Sequence, residues 1–144
     1  MAIKASLKGL PSGSHGLHVH ESSHCGPKER DGKPVAGLAA GGHYDRDAGG
    51  KHEGPTGKGH VENLPVLEVT GDGAASQTIT APRLKVADIK GRSLMIREGG
   101  DNYSDQPKPL GGGGRIACGI INCASHLLFS LGRARSLTGS LKVL

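Results

Sequence analysis

The sequence predicts a loop-rich, all-β chain, and three observations support this fold class. The 144 residues contain no Trp, one Phe and two Tyr, so any core must be built from Val, Ile, Leu and Ala, which suits sheet packing. Glycine occurs 25 times without a collagen-like period or any other repeat. Short runs of alternating apolar and polar residues recur between turn signals. A chain of this length fits one domain with one modest core.

The predicted elements can be given in chain order. They are strands at 3–8 and 16–21, a polar surface loop at 22–34, a glycine-rich loop at 41–65, strands at 66–70 and 76–80, a helical turn or loop at 87–91, a strand at 93–97, a long loop at 98–114, a last strand at 115–121 and a tail at 122–144.

Alternation is clearest in the first two strands. Ile3, Ala5 and Leu7 alternate with polar residues until the Pro-Ser-Gly turn that follows. In the second strand, His18 and His20 share one face and lie about 6.6 Å apart along the strand. Two imidazole rings at this distance can bind one metal ion. Two solvated strand histidines are the alternative, because this short pattern is common.

The loop at 41–65 contains His43, His52 and His60 on a glycine-rich backbone. Imidazole is the commonest metal ligand, so this loop together with the histidine pair upstream predicts a metal site. A solvated, histidine-containing loop is the alternative.

The second half of the chain continues the β pattern. Two β-prone runs flank Gly-Asp-Gly at 71–73, which predicts a hairpin, and Leu94 and Ile96 mark the inner face of the next strand. The loop at 98–114 is rich in Gly, Pro and Asp, and loops of this length usually carry function. The tail at 122–144 has no acidic residue, and its scattered leucines indicate a disordered or appended segment. A second expectation is that 127–131 covers an exposed sheet edge.

Composition excludes two classes of partner. The net charge is +5, but Lys and Arg are scattered and lack interleaved aromatics, which argues against nucleic acid and favours a small anion. No apolar run approaches the ~20 residues of a membrane span, and the first twenty residues carry no signal-peptide pattern.

Three cysteines, Cys25, Cys118 and Cys123, form no CxxC motif, so one long-range disulfide and one remaining thiol are expected.

At this point the sequence closely resembles the bacterial copper/zinc superoxide dismutase family. The matching motifs are Gly-Leu-His-Val-His-Glu at 16–21, Gly-Gly-His-Tyr-Asp at 41–45, Lys-His-Glu-Gly-Pro at 51–55, Gly-His at 59–60, Gly-Gly-Asp-Asn-Tyr-Ser-Asp at 99–105, the glycine run at 111–114 and Arg-Ile-Ala-Cys-Gly at 115–119. The resemblance implies a Greek-key β-barrel or sandwich with long functional loops over 1–121, followed by a non-family basic tail over 122–144.

The family's ligands carry over by motif. The resemblance makes His18, His20 and His43 copper ligands, and it makes His43, the bridging imidazolate, a zinc ligand together with His52 and His60. The implied reaction turns two superoxide ions and two protons into oxygen and hydrogen peroxide, by alternating the oxidation state of copper. Zinc has a structural and electrostatic role.

Further roles are implied outside the ligand set. Asp101 matches a carboxylate that orients a copper-ligand and a zinc-ligand histidine. Arg115 matches the arginine that guides superoxide to copper, so Arg115 and His43 are the expected catalytic residues. Cys25 and Cys118 match the family disulfide, leaving Cys123 free. Closing that loop of roughly ninety residues contributes on the order of 4 kcal/mol in the chain-entropy model.

The sequence also departs from the family pattern. Arg97 stands at the fourth copper-ligand position, where guanidinium has no lone pair to offer. Asn63 stands where the family has the Asp that completes the zinc site, and an amide oxygen is a weaker ligand. The glycine run before Arg115 is one residue short, which affects the direction of that side chain. Two family strands that precede 2–10 are expected to be missing, which would leave sheet edges open.

Three hypotheses follow for function. The chain is a superoxide dismutase whose activity is weakened by Arg97 and Asn63, or a non-catalytic family member that binds zinc or copper, or a poorly folded remnant. The family resemblance implies a periplasmic location, although this chain shows no signal peptide. Bacterial family members are monomers or dimers, so a homodimer is one expectation.

Overall fold

Strands make up nearly all of the regular structure, as the alternating pattern predicted. The computed structural model describes residues 1–46, 50–59, 63–104, 106, 112–122, 129–131 (backbone only) and 137–144. The strands are β1 Ala2–Lys8, β2 Gly13–His15, β3 Leu17–His20, β4 Lys28–Arg30, β5 Lys33–Val35, β6 Leu67–Val69, β7 Ala74–Thr80, β8 Ser93–Arg97, β9 Arg115–Ile120, β10 Phe129–Leu131 and β11 Thr138–Val143. A 3-10 helix spans Leu38–Ala40, and one helical turn, α1, spans Val86–Ile89.

Two antiparallel sheets share one core. One sheet has the strand order β11-β1-β7 and the other β10-β9-β8-β3, with the small pairs β2–β6 and β4–β5 beside them. Leu7 and Ile79 from the first sheet pack in one cluster with Leu17, Leu94 and Ile96 from the second. The aliphatic core expected from the composition is therefore built by both sheets.

Strands β3 and β8 are buried on both faces, and this arrangement creates the site. Register places His18 opposite Met95 and His20 opposite Ser93, so these side chains share the face that lies away from the core. All four are fully buried. The covering layer includes the 3-10 helix, because Ala40 packs with Met95 and Cys118. The face of β3 and β8 that carries His18 and His20 thus lies beneath a covering layer and forms one side of the site.

The predicted polar loop at 22–34 contains a regular hairpin, β4–β5. Its strands pair from Lys28 to Val35, and Asp31 and Gly32 at the turn have φ values of 54° and 73°. Asp-Gly is a strong signal for a two-residue turn with positive φ at both positions. The hairpin was missed because its strands are charged and exposed rather than alternating.

The hairpin predicted for 66–80 is only half right. The turn forms, since the Thr70 N–H donates to the Ala74 carbonyl at 2.8 Å and the Gly73 N–H to the Thr70 carbonyl at 2.9 Å. The ladders that the structure describes, however, pair β6 with β2 and β7 with β1. Tertiary partners override the local hairpin because the two strands belong to different sheets.

The expectation of a disordered tail is wrong for the described part of 122–144. β11 pairs with β1 over six residue pairs, and β10 pairs with β9 over three. Leu141 is fully buried in the common core. A Cβ at Gly139 would clash with the Ser6 carbonyl oxygen, so glycine permits this close pairing. Missing strands were expected to leave sheet edges open, but β11 covers the edge of β1.

Within the described ranges, no helix is long and apolar enough to cross a bilayer.

Candidate metal centre

Four of the five histidines predicted to bind metal lie together. The ring centroid of His43 is 4.5 Å from that of His18 and 5.0 Å from those of His20 and His52. His18 and His20 project from β3, whereas His43 and His52 come from the glycine-rich loop. The fifth, His60, lies outside the described residues.

His20 is held in the state that a metal-binding imidazole needs. Its Nδ1 lies 3.0 Å from the Gly41 carbonyl oxygen, which can only accept, so Nδ1 carries the proton. Its Nε2 is buried and has no hydrogen-bond partner among the described residues. Burial and the charge of His43 lower the pKa of His20 to about 2, although the Gly41 hydrogen bond opposes this shift. The ring is therefore neutral and keeps a lone pair at Nε2.

His18 is oriented by a carboxylate. Its Nε2 lies 3.1 Å from Asp101 Oδ2, with both side chains fully buried, and Asp101 Oδ1 accepts the Tyr103 N–H at 2.8 Å. Burial raises the pKa of Asp101, but the hydrogen bond and charge of His18 and the Tyr103 N–H outweigh it and hold the pKa below its usual range. The carboxylate can only accept, so Nε2 carries a proton and Nδ1 is the nitrogen through which His18 would bind a metal.

His43 contacts Arg97, which stands at the altered ligand position. Arg97 Nη2 lies 2.9 Å from His43 Nε2, and Nη1 donates to the Gly113 carbonyl at 2.9 Å. Guanidinium remains protonated and only donates, so Nε2 is the acceptor. On the other side of the ring, His43 Nδ1 lies 2.9 Å from His52 Nε2. Arg97 is only 8% exposed, so its charge lies inside the histidine cluster.

The zinc side is partly described. His52 and Asn63 are both buried, and the backbone of Asn63 forms a bridge with that of His18. Asn63 thus lies beside the strand that carries the two copper-side histidines.

The clustered histidines are suitable metal ligands, but one neighbouring side chain opposes metal binding. In the described part of the chain, no group of three His, Cys, Asp or Glu side chains is already arranged to hold a metal. The tautomer of His20 nevertheless keeps a lone pair on Nε2, and neutral imidazole is a ligand for both copper and zinc. The obstacle is Arg97, which must release His43 Nε2 before that nitrogen can bind a metal.

Arg115 is fixed by the loop that covers the site. Its Nη1 and Nη2 donate to the carbonyls of Gly37 and Gly41, at 2.6 and 2.8 Å. Gly41 thus accepts from both Arg115 and His20. Burial lowers the pKa of Arg115, and nearby Arg30 lowers it further, yet a guanidinium stays charged at neutral pH. Cys25 and Cys118 form the expected disulfide, with Cα atoms 5.6 Å apart, and this bond pins the same loop to β9. Cys123 lies outside the described residues.

Sequence reasoning missed one buried histidine. His15 lies between two carbonyl oxygens, with Nδ1 2.7 Å from that of Arg97 and Nε2 2.8 Å from that of Pro11. A signal was present, because His15 falls on the apolar side of the alternation with Leu17 and Val19. It ties the end of β8 to the turn before β2.

Comparisons with a family model, with named proteins and with solved structures all identify the same family. A family model described as copper/zinc superoxide dismutase matches residues 1–121. Superoxide dismutase [Cu-Zn] 2 of Salmonella typhimurium is 61% identical over 117 residues, covering 80% of this chain and 68% of that protein. The solved structure of Cu/Zn superoxide dismutase from Brucella abortus matches with a TM-score of 0.81 and 54% identity, covering 84% of this chain and 80% of that one. The solution structure of the monomeric enzyme from Salmonella enterica matches with a TM-score of 0.72 and 55% identity, covering 83% and 79%.

Proposed function

Because this chain belongs to the copper/zinc superoxide dismutase family, we propose that it catalyses superoxide dismutation at a centre built on His18, His20 and His43. The family's enzymes are oxidoreductases, its cofactors are copper and zinc, and its substrate is superoxide. We further propose that Arg97 reduces copper occupancy, so that activity is weaker than the fold alone would allow. His43, His52, His60 and Asn63 are the proposed zinc ligands, with Asn63 the weakest.

The observation that carries this proposal is the state of His20. A buried ring nitrogen without a partner is costly, and metal coordination would remove that cost. Copper, when bound, supplies the one-electron redox couple that the reaction requires. The chain's own residues supply position and charge: Asp101 orients His18, and the Gly41 carbonyl orients both His20 and Arg115. The fixed positive charge of Arg115 beside His20 favours entry of an anion.

A second candidate is a family member that binds zinc without catalysis. The contact between Arg97 Nη2 and His43 Nε2 favours it, because a fixed charge there disfavours a second cation. The third hypothesis, a poorly folded remnant, finds no support in a core to which both sheets contribute. The region 1–121 is proposed to carry the metal centre, and 122–144 to serve the fold.

The cellular compartment is proposed on similar grounds, and the oligomeric state has a direct test. An oxidising compartment such as the periplasm is supported by the Cys25–Cys118 disulfide, since such bonds persist in oxidising environments. For oligomeric state, light scattering on the purified chain will distinguish a homodimer from a monomer such as the Salmonella enterica protein.

The test combines metal stoichiometry with a superoxide assay on the wild-type chain, Arg97→His and Arg97→Gln. Arg97→His removes a buried charge and supplies an imidazole. Repulsion of several kcal/mol at moderate dielectric corresponds to a gain in copper affinity on the order of 100-fold. Arg97→Gln removes the charge alone and should gain less.

Activity should follow copper occupancy across the three proteins. Equimolar, tight copper in the wild-type chain would contradict the role given to Arg97. An Arg97→His variant that holds both metals yet shows no dismutation would favour the non-catalytic candidate.

A further inference from the structure

Arg92 lies at a junction of three segments, just before β8. Its guanidinium carbon is 3.5 Å from the centroid of the Tyr44 ring. Its Nε donates to the Asp88 carbonyl at 2.8 Å, and its Nη1 donates to the Glu21 carbonyl at 3.0 Å. Arg92 is half-buried, so these contacts are partly shielded from water.

Two of these partners are sequence neighbours of proposed metal ligands. Glu21 follows His20 at the end of β3, and Tyr44 follows His43 in the glycine-rich loop. A guanidinium that contacts both thus joins the strand that carries one ligand to the loop that carries another.

Backbone hydrogen bonds join the same two segments, so the contacts of Arg92 reinforce a connection that the main chain already makes. The Tyr44 N–H donates to the Val19 carbonyl at 2.9 Å, and the Glu21 N–H donates to the Gly42 carbonyl at 3.1 Å. The Gly42 N–H in turn donates to Glu21 Oε2 at 3.0 Å. The loop around His43 is rich in glycine, so its position depends on contacts such as these rather than on its own backbone preference.

We propose that Arg92 is a positioning residue for the metal centre, acting by clamping Tyr44 to the end of β3 so that His43 faces His20. This inference rests on the proposed function, because it concerns the same metal site. A planar guanidinium stacks on an aromatic face and donates in a fixed fork, whereas a lysine ammonium keeps the cation–π attraction but lacks the fork that reaches two carbonyls at once.

The test measures cobalt(II) binding to metal-free protein, read from the visible absorption bands of the ion, which report ligand geometry. Arg92→Leu should raise the Kd by about tenfold, at the lower end of the loss seen when supports of metal ligands are removed. Arg92→Lys should restore part of the affinity, and Tyr44→Phe should bind like the wild-type chain because it keeps the ring. Tyr44→Leu should weaken binding as Arg92→Leu does, and the double variant should be little worse than either.

Lys90→Leu is the matched control, since it removes an exposed cation two residues away. Urea unfolding of the metal-free proteins separates stability from metal geometry. If Arg92→Leu does not fold, Arg92→Lys and Tyr44→Leu carry the test.

Unchanged cobalt affinity and spectrum in folded Arg92 and Tyr44 variants would overturn the inference and leave the proposed function standing. A wild-type chain that binds neither cobalt nor zinc would overturn both.

Discussion

Arg97 and His20 illustrate how single side chains set the chemistry of this site. Arg97 holds a permanent charge 2.9 Å from His43 Nε2, while His20 is kept neutral by burial. The charge of Arg97 also contributes to lowering the pKa of His20. The centre therefore favours a neutral His20 beside the fixed charges of Arg97 and Arg115, so its stability depends on pH.

For His20, we expect the metal-free protein to lose stability in acid. A histidine in the unfolded chain titrates near 6.5, whereas folded His20 takes up its proton only near pH 2. The unfolded state thus binds more protons between these values, so stability falls as pH drops below about 6.5 and is fully retained above it. The slope is about 1.4 kcal/mol per pH unit for this one group.

Urea unfolding between pH 7 and pH 5 measures that slope. His20→Gln should reduce it by one proton, whereas His24→Gln, which removes an exposed histidine, should leave it unchanged. Equal slopes in the wild-type chain and His20→Gln would show that His20 is not the group responsible.

At the scale of elements, the pairing of β11 with β1 covers one edge of a sheet and adds a strand to the core. β1 is flanked by β7 on one side and β11 on the other, so the described sheet places it in the centre. Leu141 packs in the core, whereas the next residue, Lys142, is exposed. This alternation is what a half-buried edge strand requires.

We expect Leu141→Ala to destabilise the protein by about 2–5 kcal/mol, because it removes buried methyl groups and leaves a cavity. Lys142→Ala, one residue along the same strand, should change the free energy of unfolding by less than about 0.5 kcal/mol. Both values come from urea unfolding followed by circular dichroism. If the two variants are equally stable, β11 does not dock on β1.

For the whole molecule, the Cys25–Cys118 disulfide links the covering loop to the sheet across a sequence separation of 93 residues. The loop it pins supplies the Gly37 and Gly41 carbonyls that hold Arg115. Global stability and the direction of one proposed catalytic side chain are therefore connected through a single covalent bond.

Cys25→Ser should lower the free energy of unfolding by about 4 kcal/mol in the chain-entropy model, and it should lower dismutase activity per bound copper because Arg115 loses its fixed position. Cys123→Ser is the control and should be neutral, since Cys123 is predicted to be free. Peptide mapping without reduction checks the pairing itself. Cys123 linked to either partner would contradict it.

The sequence by itself determined most of the strands in 1–121 and the residues proposed for the site, but not the β4–β5 hairpin or the strands of the tail. Alternation placed His18 and His20 on one face, because side-chain period is a local property of the chain. The glycine-rich loop indicated His43, and the family resemblance implied Asp101 and Arg115. Only the tertiary structure decided that Arg97 contacts His43, that Arg92 stacks on Tyr44 and that β11 covers β1. Those contacts join residues far apart in sequence, and their geometry depends on how both sheets and the covering loops pack together. Local patterns carry no information about that packing: the sequence of the tail does not predict that the missing Cβ of Gly139 allows β11 to approach Ser6.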